Sequence, residues 1–176
     1  MTKVAILHEG HASKKSRDNW LLRTLIDHQG LESDQVQFFG MGSKSNFFKP
    51  DCKDYKALLP EIENDQIIKV LFVVDSDSSS VDRKSGGYDN SLSSLQEITQ
   101  QLEIAAISDF YICCDPVTQD GNVEDLLLST LDAEKRACID NFIACSDFKA
   151  IGNSKAILKG IYETAYPRAP FDFEHA

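Results

Sequence analysis

Asp75 and Asp77 stand one residue apart at the end of an apolar run that covers residues 71–74. An apolar, β-branched run of this kind is typical of a strand that is buried on both faces of a sheet. An acidic residue at the end of such a strand lies at the edge of the sheet, where α/β proteins place their functional sites. The D-x-D pair therefore predicts a site, although aspartates are also common in the turns that follow strands.

Acidic residues follow two other strand-like segments. Residues 4–8 lead into Glu9 and Gly10, and residues 110–114 lead into Asp115. If these strands are parallel neighbours, four carboxylates meet at one edge. Each pair within about 5 Å costs on the order of 3 kcal/mol at an effective dielectric of ~20, so protons or a cation must relieve the repulsion. Oxygen ligands favour Mg²⁺, Mn²⁺ or Ca²⁺, and we expect Mg²⁺ or Mn²⁺ as the cofactor.

A compact basic cluster follows Glu9. Lys14, Lys15 and Arg17 lie just before or at the start of a predicted helix, whose N-terminus favours anions. A solvated loop is the alternative interpretation. The predicted phosphate or substrate contacts are Gly10, Lys14, Lys15, Arg17 and Lys44.

Strand-like and helix-like segments alternate along the chain, which predicts an α/β fold with a mostly parallel, four-stranded sheet flanked by helices. The predicted strands cover about residues 3–8, 36–39, 67–74 and 109–114. The predicted helices cover about residues 16–28, 55–59, 90–102, 122–131, 133–145 and 153–166. Pro60 is expected to break or restart the second helix. Residues 1–131 are predicted to form the α/β domain, and residues 132–176 a helical extension packed on it.

Composition limits the classes of function. The chain has 176 residues and a net charge of −10, which argues against a large basic nucleic-acid face but leaves room for a local basic loop and a metal. Five cysteines without paired spacing predict reduced thiols and a cytoplasmic protein. We expect no signal peptide and no membrane partner, since no apolar run approaches spanning length. His8 and His11 are three residues apart, not four as in the H-E-x-x-H zinc proteases.

A strand ending in Glu-Gly, then a helix, then a hydrophobic strand ending in Asp-x-Asp resembles the Toprim domain of topoisomerases, bacterial primases, OLD-family nucleases and RNase M5-like enzymes. The resemblance covers roughly residues 3–130 and is strongest to small stand-alone Toprim-like proteins. It implies that Glu9 is a general acid/base in phosphoryl transfer and that Asp75 and Asp77 bind Mg²⁺. Asp115 and Glu124 match, more loosely, the further acids of OLD-like members, although Asp115 also suits a turn and Glu124 a helix N-terminus.

The chain departs from the Toprim pattern in three ways. The acid that often begins the first helix could be Asp18, but the loop before it is long. The glycine that commonly follows Asp-x-Asp comes late, at Gly86 and Gly87. The topoisomerase tyrosine region and the primase zinc domain have no counterpart here. We therefore do not expect a topoisomerase or a complete primase.

The predicted function is Mg²⁺-dependent phosphoryl transfer on DNA or RNA, of the nuclease type, with residues 76–88 as a loop that closes over the site. Two alternatives stay open. One is a non-catalytic Toprim-like module that binds nucleic acid or a protein partner, as RecR does. The other resembles the haloacid-dehalogenase-type phosphatases, with Asp75 as nucleophile. That motif usually lies near the N-terminus and has Thr or Val where this chain has Ser79.

Overall fold

The protein folds around one parallel sheet of four strands. The computed structural model describes residues 3–11, 13, 16–80, 82–145, 157–158 and 160. The strands are β1 (Lys3–His8), β2 (Val36–Gly40), β3 (Ile67–Asp75) and β4 (Ser108–Cys113), and their order across the sheet is β2-β1-β3-β4. Every neighbouring pair is parallel, so the predicted α/β fold is confirmed. Parallel strands end at a common edge, and all four carboxyl ends therefore lie on one side of the molecule.

Helices connect the strands and cover both faces of the sheet. They are α1 (Arg17–His28), α2 (Lys44–Phe47), α3 (Lys53–Glu63), α4 (Tyr88–Gln101), α5 (Val123–Ser129) and α6 (Ala133–Cys145). Single 3₁₀ turns at Ser33–Gln35 and Ala105–Ile107 lead into β2 and β4. A parallel pair cannot be joined by a tight hairpin, and for this reason a helix stands between successive strands.

The two faces of β3 differ in how well they are covered. Val70, Phe72 and Val74 point to one face and are at most 1% exposed. They belong to the main core with apolar residues of α3 and α4, such as Leu58 and Leu95. Leu71 and Val73 alternate with them and are only half-buried. Because successive side chains of a strand point to opposite faces, the second face carries less complete packing.

Pro60 does not interrupt α3, and the prediction of a break there is wrong. The helix continues through Pro60 to Glu63. A proline inside a helix removes one backbone hydrogen bond. Tyr55 and Leu58 are fully buried on the same helix, and the Tyr55 hydroxyl donates to the carbonyl of Phe47 at 2.6 Å. Both residues precede the proline, and Ile62, which follows it, is half-buried against the core, so packing holds the helix in place on both sides of Pro60.

The C-terminal third is described only in part. The predicted helix near 133–145 corresponds to α6, most of whose residues are exposed. Of the predicted helix over 153–166, only residues 157, 158 and 160 are described, and they are helical. The proposed division into residues 1–131 and 132–176 stays a prediction. Within the described segments, no helix is long and apolar enough to cross a membrane.

Candidate active site

The carboxyl ends of β1 and β3 are joined by a side chain. Glu9 directly follows β1, and its Oε1 accepts a hydrogen bond of 2.8 Å from the backbone N–H of Asp75, the last residue of β3. The two strands are parallel neighbours, with His8 opposite Val73. The structure thus brings together Glu9 and the first aspartate of the D-x-D pair, which are far apart in the sequence.

The N-terminus of α5 completes this edge. Asp75 Oδ1 accepts a hydrogen bond of 3.0 Å from the backbone N–H of Val123. Asn122 and Asp125 form a capping box that fixes the start of the helix. Glu124 is 9% exposed. Burial and the charge of Glu9 are the main causes that raise the pKa of Asp75, and the charge of Glu124 adds a smaller contribution.

Burial and mutual repulsion make this cluster easy to protonate. Burial, opposed in part by the Asp75 hydrogen bond, raises the pKa of Glu9 to about 7. Burial and the charge of Glu9 raise the pKa of Asp75 to about 8. The charged carboxylates lose hydration and face each other, so the site favours protons or a cation. Since the two groups are coupled, these pKa values belong to the pair.

Asp77, the second aspartate of the pair, is held by the backbone and by a lysine. It has a positive φ of 58° and forms an antiparallel bridge with Gly121, donating its N–H to the Gly121 carbonyl at 2.6 Å. Lys44 Nζ lies 3.2 Å from Asp77 Oδ2 and donates to the carbonyl of Ser76 at 2.7 Å. Lys44 is 8% exposed. Lys44, which is a predicted phosphate contact, therefore forms an ion pair with a carboxylate of the site.

The segment after Asp77 folds back on the same edge. Gly87 donates its N–H to the Ser76 carbonyl at 2.9 Å, and Gly86 and Gly87 are buried. The Ser79 hydroxyl donates to Asp120 Oδ2 at 3.1 Å. The first bond closes the described part of 76–88 on itself and the second ties it to Asp120, and closure of this segment over a substrate stays a prediction.

Asp115 lies in a turn. Its Oδ1 accepts hydrogen bonds from the backbone N–H groups of Val117 and Thr118, at 2.8 and 3.0 Å. These bonds lower the pKa of Asp115. An aspartate that bonds the backbone two residues ahead is the usual start of such a turn. The turn accounts for the described contacts of this carboxylate, and its role as a metal ligand stays a prediction.

The predicted basic contacts are only partly visible. Gly10 lies against α1, where an added Cβ would collide with the Asp18 carboxylate, so glycine suits this close approach. Arg17 is the first residue of α1, and its side chain is not described. Lys14 and Lys15 lie outside the described residues. Their phosphate contacts stay predictions.

His8 is a feature of the site that its sequence pattern did not indicate. The ring is 1% exposed, and neither Nδ1 nor Nε2 has a hydrogen-bond partner. Asp18 Oδ2 lies 3.9 Å from Nδ1, beyond hydrogen-bond distance. The position of His8 at the end of an apolar, buried strand was the available signal in the sequence. Val123 was also missed, because it acts through its backbone N–H.

The described side chains are not arranged as a finished metal centre. Across residues 3–145, apart from positions 12, 14, 15 and 81, and the three described positions beyond, no group of three His, Cys, Asp or Glu residues is placed to hold an ion. The acids interact, but Asp75 binds the start of α5 and Asp77 binds Lys44. The predicted ligand set of Asp75, Asp77, Asp115 and Glu124 stays a prediction.

The fold and the site define a small α/β protein with a parallel four-stranded sheet and an acidic cluster at its carboxyl edge. Comparison with family models, with curated proteins and with solved structures found no match to the chain.

Proposed function

We propose that this chain catalyses Mg²⁺- or Mn²⁺-dependent phosphoryl transfer on nucleic acid, as a Toprim-like hydrolase of phosphodiester bonds. The observation that carries the proposal is the hydrogen bond of 2.8 Å between the Glu9 carboxylate and the backbone N–H of Asp75. It holds a potential proton-transfer group beside the D-x-D pair at the edge where open parallel sheets bind ligands.

Glu9 is the proposed general acid/base. A group is most effective in this role when its pKa is near the working pH, and burial raises the pKa of Glu9 to about 7. The hydrogen bond from residue 75 fixes one carboxylate oxygen, which leaves the other to exchange a proton with the substrate or water. At neutral pH, Glu9 is therefore present both as a carboxylate and as a carboxylic acid.

The donor set fits a hard divalent ion in its chemistry. Asp75, Asp77 and Glu124 offer carboxylate oxygens that repel one another, and a divalent ion would relieve that repulsion. Asp77 would have to exchange Lys44 for the ion. Such an ion, when bound, stabilises charge on phosphoryl oxygens and activates water. The released Lys44 ammonium would then be available to a phosphate group, as the sequence predicts.

Basic residues near the site support nucleic acid as the class of substrate. Lys14, Lys15 and Arg17 precede or begin α1 and are the proposed contacts to the phosphate backbone. The chain as a whole carries −10, so any nucleic-acid contact would be local. DNA and RNA are both compatible with this arrangement.

A cleavage assay tests the proposal. The full chain would be incubated with end-labelled single- and double-stranded DNA and RNA in Mn²⁺ or Mg²⁺, with EDTA as the metal-free arm. We expect metal-dependent cleavage that the Asp75→Asn/Asp77→Asn double variant lacks. Asp109→Asn is the matched control, since Asp109 is exposed and lies at the start of β4. Cleavage that persists in the double variant would assign the chemistry elsewhere.

A non-catalytic binding module is the second candidate, and Lys44 is the observation that favours it. The ammonium at 3.2 Å from Asp77 partly neutralises the D-x-D pair without a metal. The two candidates differ in metal-linked stability, because an ion at about 100 times its dissociation constant adds ~2.7 kcal/mol to the free energy of unfolding. If Mg²⁺ and Mn²⁺ leave unfolding unchanged in both the native chain and Asp75→Asn, the binding module is the better assignment.

A further inference from the structure

A cavity of about 390 Å³ opens on the less covered face of the sheet, beside the acidic cluster. It lies between α1, α5 and the strands β3 and β4. Its apolar wall includes Leu21 and Leu25 of α1, Leu127 of α5, and Val73 and Tyr111 of the sheet. Small-molecule sites commonly have volumes of about 300–1,000 Å³ and mostly apolar walls. The cavity therefore has the size and lining of a ligand site.

Exposed apolar surface marks the mouth of the cavity. Leu25 is 53% exposed, Tyr111 51% and Leu127 37%. They come from three different elements and converge on one opening, unlike the scattered single apolar residues that any protein surface carries. A ligand with an apolar body would remove this surface from water.

The polar end of the cavity is acidic. Glu9, Asp18 and Asp75 line it, and none of the described lining residues is a lysine or an arginine. A ligand with a carboxylate or phosphate at this end would meet like charge. A ligand with a cationic end would find complementary charge at a place sheltered from solvent.

A buried imidazole at the same end lacks a partner. His8 lines the cavity, is 1% exposed, and has no hydrogen-bond partner at either ring nitrogen. Buried polar side-chain atoms are nearly always hydrogen-bonded, and each exception calls for an explanation. A ligand N–H group at this end would supply a donor to the unprotonated ring nitrogen. The imidazole lies 3.9 Å from the Asp18 carboxylate without a hydrogen bond to it, and its two unsatisfied ring nitrogens point to the same position as the acids.

We propose that this cavity binds a small amphipathic amine. The apolar body lies against Leu25, Leu127 and Tyr111, and the ammonium group lies at the acidic end beside His8. The ammonium donates its hydrogens to carboxylate oxygens and to the imidazole. This proposal goes beyond the nuclease assignment and does not depend on it, because it needs neither a metal nor a nucleic-acid substrate.

Three probes of the same length and different charge test the proposal. Hexylammonium, hexanol and hexanoate would each be titrated into the full chain in EDTA, with backbone amide chemical shifts as the readout. We expect saturable shifts at β3, β4 and α5, and roughly tenfold tighter binding of hexylammonium than of hexanol, which corresponds to one favourable charge interaction. Hexanoate should not bind. Equal binding of the ammonium and the carboxylate, or no shift with any probe, would overturn the proposal.

Two pairs of variants locate the site. Leu25→Trp should fill the mouth and abolish hexylammonium binding, whereas Leu31→Trp, at an exposed leucine outside the lining, should not. Asp18→Asn should reduce the preference for hexylammonium over hexanol, and Asp27→Asn, on the same helix but outside the lining, should retain it. Equal effects within either pair would contradict the proposed position.

Other occupants of the cavity would give different results. If a second copy of the chain covered the cavity, the probe-induced shifts would disappear as the protein concentration rises, because the copy would exclude the probe. Sedimentation would then show dimers. If the cavity held residues 146–176 of this chain, Leu25→Trp would shift the amides of those residues and hexylammonium would leave the native chain unchanged. Either result would assign the apolar face to protein contact and refute the amine site.

Discussion

The Glu9 carboxylate takes the place of a strand carbonyl opposite Asp75. β1 ends at His8, which pairs with Val73, so no backbone acceptor of β1 extends as far as residue 75. The Glu9 Oε1 accepts the Asp75 N–H at 2.8 Å across a sequence separation of 66 residues. One side chain thereby completes the sheet ladder and positions a carboxylate beside the D-x-D pair.

Replacing Glu9 separates its structural role from its chemical role. Glu9→Gln keeps an oxygen that accepts the Asp75 N–H but cannot exchange a proton at neutral pH. We expect Mn²⁺-dependent cleavage to fall by about 10²–10⁴-fold, the usual contribution of a general acid/base, while the fold is retained. Initial rates on labelled DNA and RNA give the measurement, and circular dichroism checks the fold. Glu63→Gln, at an exposed residue of α3, is the matched control. Full activity in Glu9→Gln would remove Glu9 from the reaction.

The acidic cluster predicts that stability decreases as pH rises. In the folded protein, burial raises the pKa of Glu9 from 4.5 to about 7. Burial and the Glu9 charge raise the pKa of Asp75 from 3.8 to about 8. The folded chain then binds more protons than the unfolded chain between those values. The contribution of these groups is fully present below the unfolded pKa values and is lost as pH rises through the folded ones.

Urea unfolding in EDTA measures this dependence. For this cluster, the free energy of unfolding should fall by about 6 kcal/mol between about pH 5 and pH 8, shared between the two groups. Glu9→Gln should flatten the profile over that interval, whereas Glu63→Gln should follow the native one. Parallel profiles for Glu9→Gln and the native chain would show that Glu9 titrates as it does in the unfolded state.

Lys44 should matter to stability more than an exposed lysine in an ion pair of similar length. Lys44→Met removes the buried donor of one Asp77 oxygen and one of the donors of the Ser76 carbonyl, which keeps the Gly87 N–H, and we expect a loss of about 1–3 kcal/mol in unfolding free energy. Lys69→Met breaks the exposed pair with Asp109 at 3.4 Å and should cost at most about 1 kcal/mol. Thermal or urea unfolding of both variants gives the comparison. Equal losses would mean that the Lys44 contacts contribute no more than a surface pair.

Gly121 is predicted to tolerate no side chain. Its φ is 105°, and an added Cβ would collide with the Asp125 carboxylate of the capping box. Gly121→Ala should therefore strain the backbone and displace the start of α5, at a cost of about 2 kcal/mol or more. Gly30 also has a positive φ, of 66°, but an added Cβ would meet nothing within 4 Å. Gly30→Ala should lower the free energy of unfolding only by the strain of a positive φ, about 1 kcal/mol. Urea unfolding distinguishes them, and equal losses would contradict the collision.

The sequence by itself determined the architecture. Apolar runs alternate with amphipathic helices, and that order requires crossovers and a parallel sheet, because parallel strands cannot be joined by short turns. The acids that follow residues 8 and 74 were visible as candidates, since the carboxyl ends of parallel strands share one edge. The helix through Pro60 was not visible, because it depends on tertiary packing of Tyr55 and Leu58 before the proline and of the half-buried Ile62 after it.

Only the tertiary structure decided which groups meet at that edge. The partners of Glu9 and Asp75 are backbone N–H groups, which every residue except proline carries and which therefore leave no mark in the sequence. Lys44, a predicted phosphate contact, lies 3.2 Å from Asp77, and Asp115, a predicted metal ligand, accepts a backbone N–H group of its own turn; neither contact could be read from the sequence. Burial, hydrogen bonding and charge act over a few ångströms between residues that the chain order separates, so the folded arrangement alone fixes how each carboxylate behaves.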